Sequence, residues 1–212
     1  MSASQSSKKL CIYHGNCLDG FAAAWAVRHS LADSVEFYEG IHQQPPPVVD
    51  GRDVVLVDFS YKRSVLEKML ETASSVIILD HHVSAEQELS DLLNSGQIDG
   101  LFDMSKSGAM LAWQWFNPDQ KAPVLIRHIQ DRDLWSFKLD GTREICSALS
   151  SYPSDFGVWD ELMTRNEQEL TDLRREGEAI ERKLHKDIEQ LITSGVRRMT
   201  IAGYDVPVLN AP

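Results

Sequence analysis

Basic charge is in short supply in this 212-residue chain: 21 Lys and Arg stand against 32 Asp and Glu, for a formal net charge of -11. Such a balance excludes a surface that binds polyanions generally, so a phosphate-ester ligand would need local neutralisation from another source. The basic residues that exist, among them Lys62-Arg63, Arg127, Arg132, Arg174-Arg175 and Arg197-Arg198, are scattered and form no nucleic-acid track. Cysteine is scarce as well. Cys11, Cys17 and Cys146 are odd in number and lack C-x-x-C spacing, which fits thiols kept reduced, as in a cytoplasmic protein, better than a disulfide framework. Long hydrophobic runs are missing: residues 54–57 and 76–79 fall far below the roughly 18 to 20 residues that span a bilayer, so no membrane partner is expected. Only a short apolar stretch, interrupted by His14, follows Lys8-Lys9; no secretory signal is expected, and residues 1–8 read as a flexible tail. There is no internal repeat of fixed period and no extended low-complexity tract.

What is present is a globular composition, 42% hydrophobic and 25% charged, in a chain long enough for a well-filled core. Residues 10–13, 54–57 and 76–79 are short, apolar and β-prone, and each run stops at polar residues: His14, Asp58, and Asp80-His81-His82. Helical spacing follows at 20–29, 64–72 and 107–116. Strands that are apolar throughout, alternating with helices, predict an α/β fold: a parallel β-sheet with helices on both faces. Ligands of such sheets sit beyond the carboxyl ends of the strands, where these polar residues converge. Gln43-Gln44-Pro45-Pro46-Pro47 reads as a stiff connector without chemistry. From 155 to 193 the chain is charge-rich with apolar residues at helical spacing, which predicts a long, mostly exposed helix, broken or bent at Gly177. Beyond 199 a strand-like alternation around Gly203-Tyr204-Asp205 predicts a hairpin that opens a further unit.

Collected by type, His14, Asp19, Asp58, Asp80, His81, His82, Asp131 and Asp133 form a set of carboxylates and imidazoles without thiolate pairs. Such a set suits Mn²⁺ or Mg²⁺, with Fe²⁺ or Co²⁺ as alternatives, better than a structural Zn²⁺ cage. Taken singly, most of these have bland readings. Asp58 alone reads first as a helix cap or turn former. Asp133, next to Leu134-Trp135, reads as structural, and His29, His42, His128 and His185 read as solvated or core histidines, with His128 kept as a minor candidate by its closeness to Asp131. Cys17 reads as a small thiol beside a loop, since a ligand role would be unusual with hard metals.

Asp80-His81-His82 closing an apolar strand is the sharpest signal. With Tyr13-His14-Gly15-Asn16-Cys17-Leu18-Asp19-Gly20-Phe21, Val57-Asp58 and Ile129-Gln130-Asp131 it makes four motifs in an order that resembles the DHH phosphoesterase superfamily over residues 10 to 150. The resemblance implies a hydrolase of phosphorus–oxygen bonds that works with two Mn²⁺ ions, Mg²⁺ or Co²⁺ being alternatives. It implies His14, Asp19, Asp58, His81 and Asp131 as metal ligands, with Asp58 bridging. It implies His82 as the residue facing the substrate phosphate and Asp80 as the one orienting the histidines, both counted as catalytic. The segment 103–112 resembles the family's small-residue helix start, which implies Ser107 and Gly108 as contacts to a substrate anion.

Two departures from the family pattern matter. The usual first motif has two aspartates separated by one residue, whereas this chain has only Asp19, leaving one metal position to Asn16, Cys17 or water. The glycine-rich, histidine-containing loop of the family's C-terminal substrate-binding domain is missing. The expected organisation is a tail at 1–8, a catalytic domain at 9–154, a connector helix at 155–195 and the start of a truncated substrate domain at 196–212. The expected activity is hydrolysis of a phosphodiester in a short oligonucleotide or small nucleotide by two-metal activation of water. Pyrophosphate or polyphosphate hydrolysis, and a non-catalytic metal- or nucleotide-binding module, are the alternatives, and the apolar stripe of the long helix is expected to suit a homodimer.

Overall fold

A computed structural model describes residues 9–166 and 168–209; the expected tail at 1–8 and the last three residues lie outside the described residues. Its centre is a five-stranded sheet of β1 (Lys9–His14), β2 (Val35–Gly40), β3 (Asp53–Val57), β4 (Ser75–Asp80) and β5 (Asp99–Phe102), in the order β2-β1-β3-β4-β5. Every neighbouring pair is parallel. Strand residues alternate between two buried layers, as a sheet covered on both sides requires. Cys11, Tyr13, Val55, Val57 and Leu79 face one core, and Leu10, Ile12, Val54, Leu56 and Ile78 face the other. Leu56 and Ile78 are fully buried, and each such side chain contributes on the order of 1.5–3 kcal/mol relative to exposure.

The first core is covered by α1 (Leu18–Leu31), α4 (Gly108–Phe116), α5 (Val124–Asp133), α6 (Thr142–Leu149) and α7 (Phe156–Met163). Aromatic contacts and one shared carboxylate join α1 to its neighbours. Phe21 stacks on Phe156 at 4.9 Å, Trp25 lies parallel to Trp113 at 5.9 Å, and Asp160 accepts from both Trp25 Nε1 and Arg28. The second core is covered by α2 (Arg63–Leu70) and α3 (Val83–Asn94). The chain leaves β1 toward β2 on one side, then returns to β3 on the other side of β1. The crevice between the carboxyl ends of β1 and β3 is therefore the point where such sheets hold ligands.

The charge-rich segment forms two helices rather than one: α7 ends at Met163, and α8 (Leu170–Gly195) follows after a turn. The expected break at Gly177 does not occur, since α8 runs through it. Gly177 is buried, and a Cβ built there would lie 1.7 Å from the Glu144 carbonyl oxygen. The glycine thus lets α6 lie directly against α8. Leu184, Ile188, Leu191 and Ile192 on the outer half of α8 are exposed. The antiparallel hairpin of β6 (Arg197–Ile201) and β7 (Tyr204–Val208) turns at Ala202-Gly203, one position earlier than expected, with positive φ at both residues as a tight hairpin turn prefers. No helix among the described residues is long and apolar enough to cross a membrane.

Replacing glycine by alanine inside a helix ordinarily stabilises by about 1 kcal/mol. Gly177→Ala is expected to do the reverse, losing about 1–3 kcal/mol through overpacking against Glu144. Urea unfolding of the two proteins measures it, and an unchanged or raised midpoint would contradict the tight α6–α8 contact.

Candidate metal centre

The ends of β1, β3 and β4, the first turn of α1 and the last residue of α5 meet at that crevice, and each element brings one or two polar side chains. His14 closes β1, and the chain then turns through Asn16 with φ at 55° before α1 delivers Asp19. Asp58 follows β3 with φ at 54°, a left-handed conformation that Asp tolerates better than most residues. Its N–H still donates to the Leu79 carbonyl at 3.0 Å, so the turn begins without loss of the ladder. Gly108 opens α4 against it, where a Cβ would come within 2.4 Å of Asp58 Cβ; only glycine lets the helix end approach this closely.

Asp58 is the hub. It is 2% exposed, and its Oδ1 accepts from His81 Nε2 at 3.0 Å. Oδ2 faces His14 Nδ1 at 3.5 Å and has no hydrogen-bond partner. An unsatisfied buried carboxylate oxygen costs on the order of 1–3 kcal/mol or more. The two oxygens address two sets of donors. On one side, ligand atoms of His14, Cys17 and Asp58 lie within 4.8 Å of one another; on the other, those of Asp19, His81 and Asp133 do. His81 Nε2 stands 3.9 Å from Asp19 Oδ2 and 3.6 Å from Asp133 Oδ2.

Asp80, although it belongs to a further group of possible donors with Asp58, His81 and His82, is fully engaged. Oδ1 accepts from the His81 N–H at 2.8 Å and from His82 Nδ1 at 2.6 Å, and Oδ2 accepts from Ser60 Oγ at 2.6 Å. It fixes both histidines, and by accepting from Nδ1 of the half-exposed His82 ring it raises that ring's pKa and favours the imidazolium. A cavity of about 650 Å³ opens beside His82, lined by His42, Gln44, Pro45, Tyr61, Lys62 and Glu88 among others.

Charge is unevenly shared. Burial would raise the Asp58 pKa, but the imidazoles of His14 and His81 beside it bring it down to about 2. Burial likewise opposes a charged His81, yet the Asp58 bond and the charges of Asp58, Asp133 and Asp19 lift it to about 9. Asp19 is pushed well up by its burial and by the negative charge of Asp58 and Asp133. Burial and Asp58 push Asp133 up as well. Three carboxylates therefore crowd a space where two imidazoles, the α4 N–H groups on Asp19 and Arg132 near Asp133 offset them. Clustered carboxylates, the orphaned buried Asp58 oxygen and donors of oxygen, nitrogen and sulfur type together fit divalent cations.

Three site expectations change on this geometry. Asp131 is not at the cluster: its carboxylate accepts from the Lys138 N–H at 2.8 Å, the Leu139 N–H at 3.0 Å and the Thr142 hydroxyl at 2.7 Å. The carboxylate placed beside His81 is Asp133. Two residues apart on a helix, the two side chains point to nearly opposite sides, so only one can reach the strand ends. Asp133 continues the stripe of buried Ile126 and Ile129 at i, i+3, i+7, the signal that could have found it. Ser107 and Gly108 do not present an open anion site either. The Gly108 and Ala109 N–H groups donate to Asp19 at 2.6 and 3.1 Å, and the fully buried Ser107 hydroxyl accepts from the Met110 N–H. The helix end is already filled by a carboxylate of the protein itself. The Gln43-Pro47 connector, given no chemistry from sequence, forms a wall of the cavity, and His42 before it packs 5.2 Å from His14, ring to ring. His128 is buried against the Thr142 hydroxyl at 2.8 Å, a core histidine as expected.

No protein-family model matches the sequence. An uncharacterized protein of Acanthamoeba polyphaga mimivirus is 32% identical over 177 residues, 76% of this chain, and the chain spans only 41% of that protein's length. Among solved structures, an uncharacterized protein from Helicobacter pylori superposes with a TM-score of 0.54 at 10% identity, over 82% of this chain and 63% of that one. At that identity the likeness shows a shared fold.

Asp131→Asn is expected to cost about 1–3 kcal/mol in urea unfolding at neutral pH, because buried N–H and hydroxyl groups lose an anionic acceptor. The Thr142, Lys138 and Leu139 donors hold the Asp131 carboxyl below its ordinary range against the pull of burial. Its stabilisation is thus complete above the usual carboxylate pKa and lost as pH falls through the lower folded value. The gap between wild type and variant should therefore narrow below about pH 4; a gap that stays constant down to pH 2 would contradict the assigned role.

Proposed function

We propose that the protein is a metal-dependent phosphoesterase whose centre lies at the β1–β3 crevice, consistent with the resemblance of its strand-end motifs to the DHH phosphoesterase superfamily. The observation that carries this reading is the Asp58 carboxylate, buried between two donor sets with one oxygen turned to each. In this reading Asp19, His81 and Asp133 would hold one cation, and His14 and Asp58 would take part in holding a second. The oxygen and imidazole donors of the first set suit Mn²⁺ or Mg²⁺. Cations held there supply Lewis-acid chemistry, activating water as a nucleophile and neutralising phosphoryl charge that the acidic surface cannot.

The chain's own residues do the rest. Asp80 accepts from His82 Nδ1 and raises the pKa of that ring, favouring an imidazolium whose Nε2–H donates to the phosphoryl oxygens, so that His82 stabilises charge as it develops. Lys62, exposed at the rim and paired with Glu88 at 3.3 Å, adds a positive group at the cavity mouth. Pro45, Tyr61, Val65 and Ala85 give the same cavity an apolar wall, which favours a diester carrying a sugar or base, as in a short oligonucleotide or small nucleotide, over bare pyrophosphate. The reading also takes the protein to be cytoplasmic and its exposed α8 stripe to pair with a second copy.

The test is Mn²⁺-dependent hydrolysis of a generic aryl phosphodiester. His81→Ala and Asp133→Ala are each expected to lower the rate by at least the roughly 10- to 100-fold that loss of a metal's outer partners costs, whereas Asp131→Asn keeps its activity at temperatures where it stays folded. Equal activity of wild type and Asp133→Ala, or hydrolysis without added metal after chelation, would overturn the assignment.

A further inference from the structure

Cys17 occupies a place that a packing role does not explain. It stands at the start of α1, half-buried, with its sulfur grouped with a nitrogen of His14 and an oxygen of Asp58, all within 4.8 Å of one another. The other two cysteines, Cys11 and Cys146, are buried in the core. The Asp58 oxygen on this side is the buried one without a hydrogen-bond partner. Two independent features therefore point to the same spot, a sulfur donor and an orphaned carboxylate oxygen. In the absence of a cation, burial and the charge of Asp58 push the Cys17 thiol up and keep it protonated, against the N–H groups of Gly20 and Asp19 that face the sulfur.

The two halves of the centre then differ in chemistry. Asp19, His81 and Asp133 offer two carboxylates and an imidazole, whereas His14, Cys17 and Asp58 offer an imidazole, a thiol and a carboxylate. Thiolate donors select borderline and softer ions over Mg²⁺ and Mn²⁺, and a His, Cys, Asp set is one that Zn²⁺ accepts. We propose that Cys17 is a metal ligand, and that with His14 and Asp58 it makes one half of the centre a thiolate site for a borderline divalent cation of the Zn²⁺, Co²⁺ or Fe²⁺ class, beside a hard half. Binding forms a sulfur–metal bond and releases the thiol proton to solvent. The inference rests on the metal-centre part of the proposed function and is independent of whether the centre hydrolyses a phosphodiester.

Cobalt makes the sulfur visible, because a thiolate bound to Co²⁺ absorbs in the near ultraviolet by charge transfer and oxygen or imidazole ligands do not. Full-length chelator-treated protein is titrated with Co²⁺, alongside Cys17→Ser and Cys17→Asp, with circular dichroism confirming that each is folded. The expected result is a near-ultraviolet band in wild type that Zn²⁺ displaces, and its loss in both variants while Cys17→Asp still binds two ions and shifts its preference toward Mn²⁺. A wild type that takes up Co²⁺ without the band, or a band that survives in both variants, overturns the proposal. Hydrolysis measured on the same samples separates the two readings: a Cys17-dependent band without hydrolysis supports the thiolate site and removes the phosphoesterase, and hydrolysis without a band removes the thiolate site alone.

Discussion

A carboxylate sealed at the end of β3 sets the terms for everything around it. Asp58 can be buried only because His81 and His14 stand on its two sides, and those histidines stand there because β1 and β4 flank β3 in register. The sheet is thus more than a scaffold that happens to carry polar ends. Its strand order decides which charges become neighbours, and the low polarity of two apolar cores behind them makes those neighbours interact strongly.

The same economy of charge explains the N-terminus of α4. A helix start aimed at a crevice attracts anions, and here Asp19 from α1 meets the demand from inside the protein. The effect is to tie α1 to α4 at the crevice while holding the Asp19 carboxylate in a fixed orientation toward His81. A surface loop could supply the same functional group, but not the same rigidity.

Much of this was legible in the amino-acid order. The three central strands announce themselves as unbroken apolar runs, and their polar endings name His14, Asp58, Asp80, His81 and His82 without any knowledge of the fold. What stayed hidden were elements whose pattern is weak or whose role depends on a partner. β2 and β5 lie at the sheet edges and carry Glu36, Glu39 and Asp99, so they lack the apolar signature of the centre. Choosing between Asp131 and Asp133 required knowing which face of α5 meets the strand ends, and Asp131 is better described as a clasp on the 134–142 loop. Gly177 misled for a related reason: propensity marks it as a helix breaker, while the tight approach of α6 makes it a requirement for the helix to sit where it does.

The strand order β2-β1-β3-β4-β5 also bears on how the molecule comes into being. Every pairing in a parallel sheet joins segments separated by a full crossover, and β1 meets β3 only after α1 and β2 have been passed over. Contact order is consequently high for a chain of this size, and folding belongs on the slower side of the range. Asp133 comes from the end of α5, far along the chain from His14, so the polar cluster has no local precursor. Its members are brought together only by the closed α/β body, in which the sheet and both cores hold segments that lie far apart along the chain.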